Sequence, residues 1–219
     1  MQTYPEIPFF QQINPDSCGA AALQMLLAWQ GVKYDQEFLW NEISTDRPHG
    51  EGKTCSTHKI LNFCLAREIP ASVVVASDPH ALMKLCADSS GRYGLMPLIH
   101  TCDDGPLGHI VVFVGFDKGR IVFNDPLYPL GKCRRENPKI FISKMQNRTG
   151  AFDELSRGNL FCVIGRPGDG SFASGKVQCE DGHPVPSFSD LSSFVSNVLC
   201  PTDGWLTPRV SSLSLRPRL

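Results

Sequence analysis

Cys18 carries the first case for covalent chemistry in this sequence. It stands in Pro15-Asp16-Ser17-Cys18-Gly19-Ala20-Ala21-Ala22, where Asp16 or Ser17 is a good helix N-cap. A thiol in the first turn of a helix faces unpaired N–H groups and the positive end of the helix dipole, which favour the thiolate. Gly19 leaves the sulfur accessible, and Ala20–Ala22 allow tight packing behind it. A single cysteine after an N-cap is ordinarily a small core residue. Two further features shift that balance. Gly108-His109 heads the apolar run Ile110–Phe116, and Asn124-Asp125-Pro126 ends the next one. Each alone reads as a surface or turn residue.

Hairpin geometry links His109 to Asp125. With Asp117-Lys118-Gly119 as a three-residue loop, Phe116 faces Arg120 and Asp125 falls opposite Val111. Val111 shares a face with His109, because strand side chains alternate with period 2. His109 and Asp125 then become diagonal neighbours on one face. A two-residue loop would place them on opposite faces. A cysteine at a helix start, a histidine and a carboxylate to orient it form a nucleophile–base–orienter set. Gln12, six residues before Cys18, supplies side-chain N–H groups for an oxyanion, together with the Cys18 backbone N–H.

These segments resemble a known family. Gln-x5-Cys-Gly-x-Ala-x-Leu-x-Met-Leu-Leu from Gln12, Gly-His-Ile-Val-Val-x-Val-Gly from Gly108 and Ile-Val-Phe-Asn-Asp-Pro from Ile121 look like the bacteriocin-processing, double-glycine leader cysteine peptidases, which are papain-like in fold. The resemblance covers most of residues 4–165, with anchors at 12–31 and 108–126. It implies Cys18 as nucleophile, His109 as general base, Asp125 as the residue orienting the histidine and Gln12 as the oxyanion-hole residue. The family often has Asp directly before the Cys; here Ser17 intervenes. Members that process exported peptides are fused to transporters. No apolar run here reaches the ~18 residues of a membrane span, so the chain resembles the stand-alone members.

The elements that must position these residues are legible from periodicity. Cys18, Ala22, Met25, Leu26 and Trp29 recur at helical spacing, and Gly31 is a natural stop. Helices are expected over Gln36–Ile43, Ser56–Ala66 and Pro79–Ala87, with a polar loop at His49–Lys53. Strands are expected over Ala71–Ala76, Leu95–Thr101, His109–Phe116, Arg120–Asn124, Lys139–Ile142 and Leu160–Gly165. The fold class is α+β, with N-terminal helices packed on a mostly antiparallel sheet. Residues 1–165 read as the peptidase domain. Residues 166–219 hold six Pro, five Gly and ten Ser, and read as a loose tail. Within the tail, Leu191, Phe194, Val195, Val198 and Leu199 predict a short helix over 189–199.

The 219 residues carry 21 Lys+Arg against 22 Asp+Glu, so no global field draws in nucleic acid or anionic lipid. The N-terminus lacks the basic and apolar regions of a signal peptide. With nine cysteines, an odd number, this points to a reducing compartment: cytoplasmic, or exported without a cleavable signal. Cys55, His58 and Cys64 do not converge on a helix as zinc ligands. His100 and Cys102 share a strand face and read as packing. Gly165–Gly170 lacks phosphate-loop spacing, Cys133-Arg134-Arg135 reads as a solvated basic face, and His183 carries no argument in the tail. The expected partner is a peptide or protein substrate, with no nucleic acid and no membrane. No metal and no organic cofactor is required. The expected reaction is hydrolysis of a peptide or isopeptide bond through a thioester. The alternatives are an amidase or acyltransferase using the same site, and an inactive papain-like domain that binds peptides or a partner.

Overall fold

A computed structural model describes residues 4–47, 52–89, 91–100, 108–146, 158–179, 181–202, 204 and 206–208. In chain order the helices are α1 (Cys18–Trp29), α2 (Gln36–Ile43), α3 (Thr57–Leu65), α4 (Pro79–Asp88) and α5 (Pro138–Met145). The strands are β1 (Ser44–Asp46), β2 (Lys53–Cys55), β3 (Ala71–Ala76), β4 (Tyr93–His100), β5 (Gly108–Ile110), β6 (Val112–Asp117), β7 (Arg120–Asn124), β8 (Arg134–Glu136), β9 (Leu160–Gly165), β10 (Phe172–Gln178), β11 (Pro184–Phe188), β12 (Val195–Leu199) and β13 (Leu206–Pro208). The main sheet runs β13-β12-β3-β9-β4-β6-β7-β8, with β5 also paired to β4. Every pairing in it is antiparallel. The chain is α+β, with N-terminal helices packed on an antiparallel sheet.

Both faces of the sheet are covered, so its central strands β3, β4 and β9 are buried at every position. Val73, Val75, Cys162, Ile164 and Met96 point into the core shared with α1, α2 and α3. Val74, Ala76, Phe161, Val163 and Leu95 point into a second core with α4, α5 and the β10–β11 hairpin. Helix α1 is buried almost all round, from Cys18 to Leu23 and from Met25 to Leu27. It ends in a Schellman motif: Val32 N–H donates to Leu27 O, Gly31 N–H donates to Ala28 O, and Gly31 takes φ 84°.

Two elements differ from expectation. Lys139–Ile142 lies inside helix α5, not a strand. Asn137 caps α5 by accepting from Lys139 N–H, and Pro138 fills its first turn. The expected helix at 189–199 is a short 3₁₀ helix, Ser189–Phe194, followed by strand β12. The edge of β3 supplies the partner: Val198 pairs with Val74 and Asn197 with Val75. Hydrogen bonding along an open edge outweighs a helical apolar stripe in a Ser-rich segment. Residues 166–208 therefore reach the main sheet through β12. The far end of the chain, 209–219, lies outside the described residues.

The β6–β7 hairpin differs as well. Asp117 pairs with Arg120, so the turn has two residues, with Lys118 at φ 48° and Gly119 at φ 73°. Both left-handed residues make this a type I′ turn. Alone it would put His109 and Asp125 on opposite faces. A bulge between Phe113 and Gly115 adds one residue to β6 and restores the register: Phe113 pairs with Phe123 and Val112 with Asn124. Asp125 thus falls next in line opposite Val111. The Tyr4 side chain covers the bulge so closely that a Cβ on Gly115 would lie 2.7 Å from Tyr4 Cβ.

Candidate active site

Cys18 is the first residue of α1, and Ser17 is its N-cap. The Ser17 hydroxyl does not cap the helix. It donates to Asn14 O at 3.1 Å and accepts from Asn14 N–H at 3.1 Å, tightening the loop before the helix. The first N–H groups of α1 therefore remain available to other acceptors. Gly19 and Ala20 direct theirs toward the Cys55 sulfur, which borders Cys18. A side chain at Gly19 would meet Cys55 Cβ at 2.7 Å and Ile110 Cδ1 at 3.2 Å, so only glycine fits between them. Burial pushes the Cys55 thiol up, and proximity to Cys18 adds to it.

Strand β5 delivers the histidine. His109 is 6% exposed, Cys18 8% and Asp125 3%, so the group is largely buried. His109 Nε2 lies 2.7 Å from Asp125 Oδ1, and the ring also bonds the Cys18 thiol. With Nε2 on Asp125, Nδ1 is the nitrogen left for sulfur. Ile110 N–H donates to Cys18 Sγ at 3.5 Å. Burial lowers the His109 pKa, but the Asp125 hydrogen bond and the Cys18 sulfur outweigh it and hold the pKa at about 9. Burial raises Asp125, yet its bond to His109, the Leu127 N–H and Arg134 leave it below the ordinary carboxylate value. An imidazole between a carboxylate and a sulfur accepts a proton when neutral and donates it as the imidazolium, beside a nucleophile.

Gln12 stands beside the helix start, with its backbone N–H donating to Pro126 O at 3.0 Å. Both of its amide protons are occupied, by Asn14 O at 2.9 Å and Pro15 O at 2.8 Å. Its buried Oε1 has no hydrogen-bond partner among the described residues. The structure thus brings Cys18, His109 and Asp125 together, and it holds the Gln12 donors on the loop before Cys18.

The model of the Peptidase_C39-like family matches residues 4–152, well over half of the chain. The chain belongs to the Peptidase_C39-like family. Its fold is that of papain-like peptidases. It superposes on the peptidase domain of Streptococcus ComA, a bifunctional ABC transporter involved in quorum sensing, with a TM-score of 0.55 at 17% identity, covering 74% of this chain and 99% of that one. It superposes on a double-glycine-motif protease from an AMS/PCAT transporter, in complex with its leader peptide, with a TM-score of 0.50 at 15% identity, covering 75% and 96%. No protein of curated function matches the chain. Among the described residues of this Peptidase_C39-like chain, no helix is long and apolar enough to cross a membrane.

The sequence reading missed two parts of the site. Arg134, placed on a solvated face, donates from Nη1 to Asp125 Oδ2 at 2.5 Å. Its guanidinium lies over Tyr128, 4.5 Å from the ring centroid. With Leu127 N–H on Oδ1 at 3.1 Å, both Asp125 oxygens are engaged. The adjacent Asn124-Asp125 and Arg134 signal was present, but only the return of β8 beside β7 brings them together. The second part is Gly131. Asp125 N–H donates to Gly131 O at 2.9 Å, and a Cβ on Gly131 would lie 1.8 Å from Asp125 O. Gly131→Ala must open this loop and displace Asp125. It is expected to lower kcat on the order of 10²-fold. Assays beside thermal unfolding check this: a large loss in kcat with the fold retained shows misplacement, and unchanged kcat refutes the positioning role.

Proposed function

We propose that this chain is a cysteine peptidase that cleaves a peptide or isopeptide bond through a thioester. The observation that carries the reading is His109 held between Asp125 and the Cys18 thiol at a helix N-terminus. His109 takes the thiol proton as a neutral imidazole, and with its pKa held at about 9 it keeps that proton at neutral pH as the imidazolium of a thiolate–imidazolium pair. The Cys18 thiolate attacks the substrate carbonyl carbon. The Cys18 N–H supports the oxyanion, and Gln12 serves as a second donor by exchanging a carbonyl partner for the stronger anionic acceptor. His109 gives its proton to the leaving nitrogen as the C–N bond breaks. Water then attacks the thioester: its proton passes to His109, the C–S bond breaks, and acid is released. Asp125, braced by Arg134, keeps the imidazole oriented and supports its charge.

Exposed apolar side chains suit a peptide substrate. Leu127, Tyr128 and Leu130 are 37%, 45% and 91% exposed on the loop leaving Asp125, and Ile13, next to Gln12, is 54% exposed. The Gln12–Pro126 hydrogen bond sets these two segments side by side.

A peptide-based thiol-reactive inhibitor is expected to label Cys18 in preference to the other eight cysteines. New N-termini in a proteome exposed to the wild type are expected to vanish with Cys18→Ala. Equal sets of N-termini from both proteins would overturn hydrolysis; if Cys18 were nonetheless labelled, the site would be a binding or acyl-transfer site.

A further inference from the structure

A second group of chemically active side chains, which the Cys18 site does not use, lies beyond residues 4–152. Cys179 and His183 bracket the turn that joins β10 to β11. Cys179 N–H donates to His183 O at 3.0 Å, Gly182 N–H donates to Cys179 O at 3.0 Å, and Gly182 takes φ 80°. That left-handed residue tightens the turn at little cost because it is glycine. The turn sets Cys179 Sγ 3.5 Å from His183 Nδ1. Cys200 follows β12 and opens a turn of its own, in which Gly204 N–H donates to Cys200 O at 3.0 Å. Its sulfur lies 3.8 Å from the same His183 Nδ1. All three ligand atoms lie within 4.8 Å of one another.

We infer that Cys179, His183 and Cys200 form a zinc site that ties the β10–β11 hairpin to the end of β12. Zinc binds sulfur at about 2.3 Å and imidazole nitrogen at about 2.0–2.1 Å, which on a tetrahedron separates sulfur from nitrogen by about 3.5–3.6 Å. The Cys179 separation of 3.5 Å falls at the edge of that range, and the Cys200 separation of 3.8 Å lies just beyond it. Both sulfurs converge on one ring nitrogen. A single imidazole nitrogen makes one strong hydrogen bond at a time, whereas a metal on that nitrogen engages both sulfurs at once. Charge fits burial too. Cys179 is 7% exposed and Cys200 fully buried. Two thiolates around a dication make a neutral unit, so no uncompensated charge is buried. Thiolate and imidazole ligands select zinc over the hard cations magnesium and calcium. Among the described residues, Cys179, Cys200 and His183 supply a sulfur, a sulfur and a nitrogen to a tetrahedral site.

The site has a structural task. The hairpin touches the main sheet where Ser72 Oγ donates to Pro186 O at 2.9 Å, and β12 extends the same sheet at β3. A metal shared by the hairpin turn and the end of β12 cross-links two segments that otherwise meet through apolar packing and a few hydrogen bonds. None of the three side chains takes part in the Cys18 site, so this inference stands or falls apart from the peptidase reading.

The test uses the full-length chain carrying Cys18→Ala, so that metal cannot bind the Cys18–His109 pair. Metal-free protein is titrated with cobalt(II), then with zinc. The expected result is one equivalent of cobalt with the visible and thiolate charge-transfer absorption of a tetrahedral site, displaced by zinc, and a thermal midpoint raised by zinc. His183→Ala, a half-buried turn residue, is expected to lose both signals while its circular dichroism is kept. Cys200→Ser is expected to lose them as well; should that buried variant fail to fold, His183→Ala decides. Cobalt absorption unchanged in folded His183→Ala overturns the site. So does zinc that is lost on gel filtration in metal-free buffer, or peptide mapping that finds Cys179 joined to Cys200 as a disulfide in protein purified under reducing conditions.

Discussion

Cys18→Ala and His109→Ala are each expected to bring peptide turnover close to background, a loss on the order of 10⁴–10⁶ in kcat. Cys18 supplies the atom that attacks, and the adjacent Cys55 does not replace it: its thiol is held up by burial and so stays protonated. His109 moves the proton in both halves of the reaction, and it is the titratable ring hydrogen-bonded to both Asp125 and Cys18. Because the two act as one unit, the double variant is expected to lose little more than either single one. Rates of the three variants on one cleaved peptide, with folding checked by circular dichroism, decide the matter. A double variant whose loss is the product of the single losses would show that the residues act separately, and the thiolate–imidazolium pair would be wrong.

Asp125→Asn is expected to cost about 10²–10⁴ in kcat while Cys18 can still be alkylated. The neutral amide keeps the shape of the carboxylate but not its charge, and it presents an N–H toward a ring that needs an acceptor. The Asp125 bond is the largest of the influences that raise His109 above its ordinary value, so the His109 titration midpoint, about 9 in the wild type, is expected to fall in the variant. The sign follows from the charge: a carboxylate favours the imidazolium, and its loss favours the neutral ring. In the wild type, activity is expected to fall as pH rises through about 9, where His109 loses the proton it gives to the leaving amine. In Asp125→Asn that descending limb is expected to move to lower pH. Ring-proton NMR against pH measures the midpoint directly. An unmoved midpoint, or full activity, would refute Asp125 as the orienting residue and turn attention to Asp103 or Asp104, which lie outside the described residues.

Local patterns in the sequence were enough for α1 and for the main strands near the site. An apolar 3.6-residue period from Cys18, closed by Gly31, needs no information from elsewhere in the chain, and neither do the apolar runs that became β3, β7 and β9. The facing of His109 and Asp125 was also legible, but through a different construction. A three-residue loop was expected; the chain uses a two-residue turn and a bulge at Gly115. Each adds up to the same register, because one extra residue anywhere between two strands flips the face. Where that residue sits depends on Tyr4, which packs against Gly115 from the far end of the sequence.

Other features were decided by tertiary contacts alone. The apolar stripe at Leu191, Phe194, Val195, Val198 and Leu199 fits a helix as well as it fits a turn and strand, and only the open edge of β3 selects the strand. Arg134 becomes part of the site because β8 returns beside β7, and Gly131 because its loop closes over the Asp125 carbonyl. His183 has no local signal at all; it gains chemical meaning when the β10–β11 turn and the end of β12 set two thiols around one of its nitrogens. The physical reason is common to all of them. Periodicity and capping report what a segment does with its own neighbours, within a few residues. Which strand edge is open, which carbonyl a glycine must approach and which side chains meet across tens of residues are settled only when distant segments compete for the same surface.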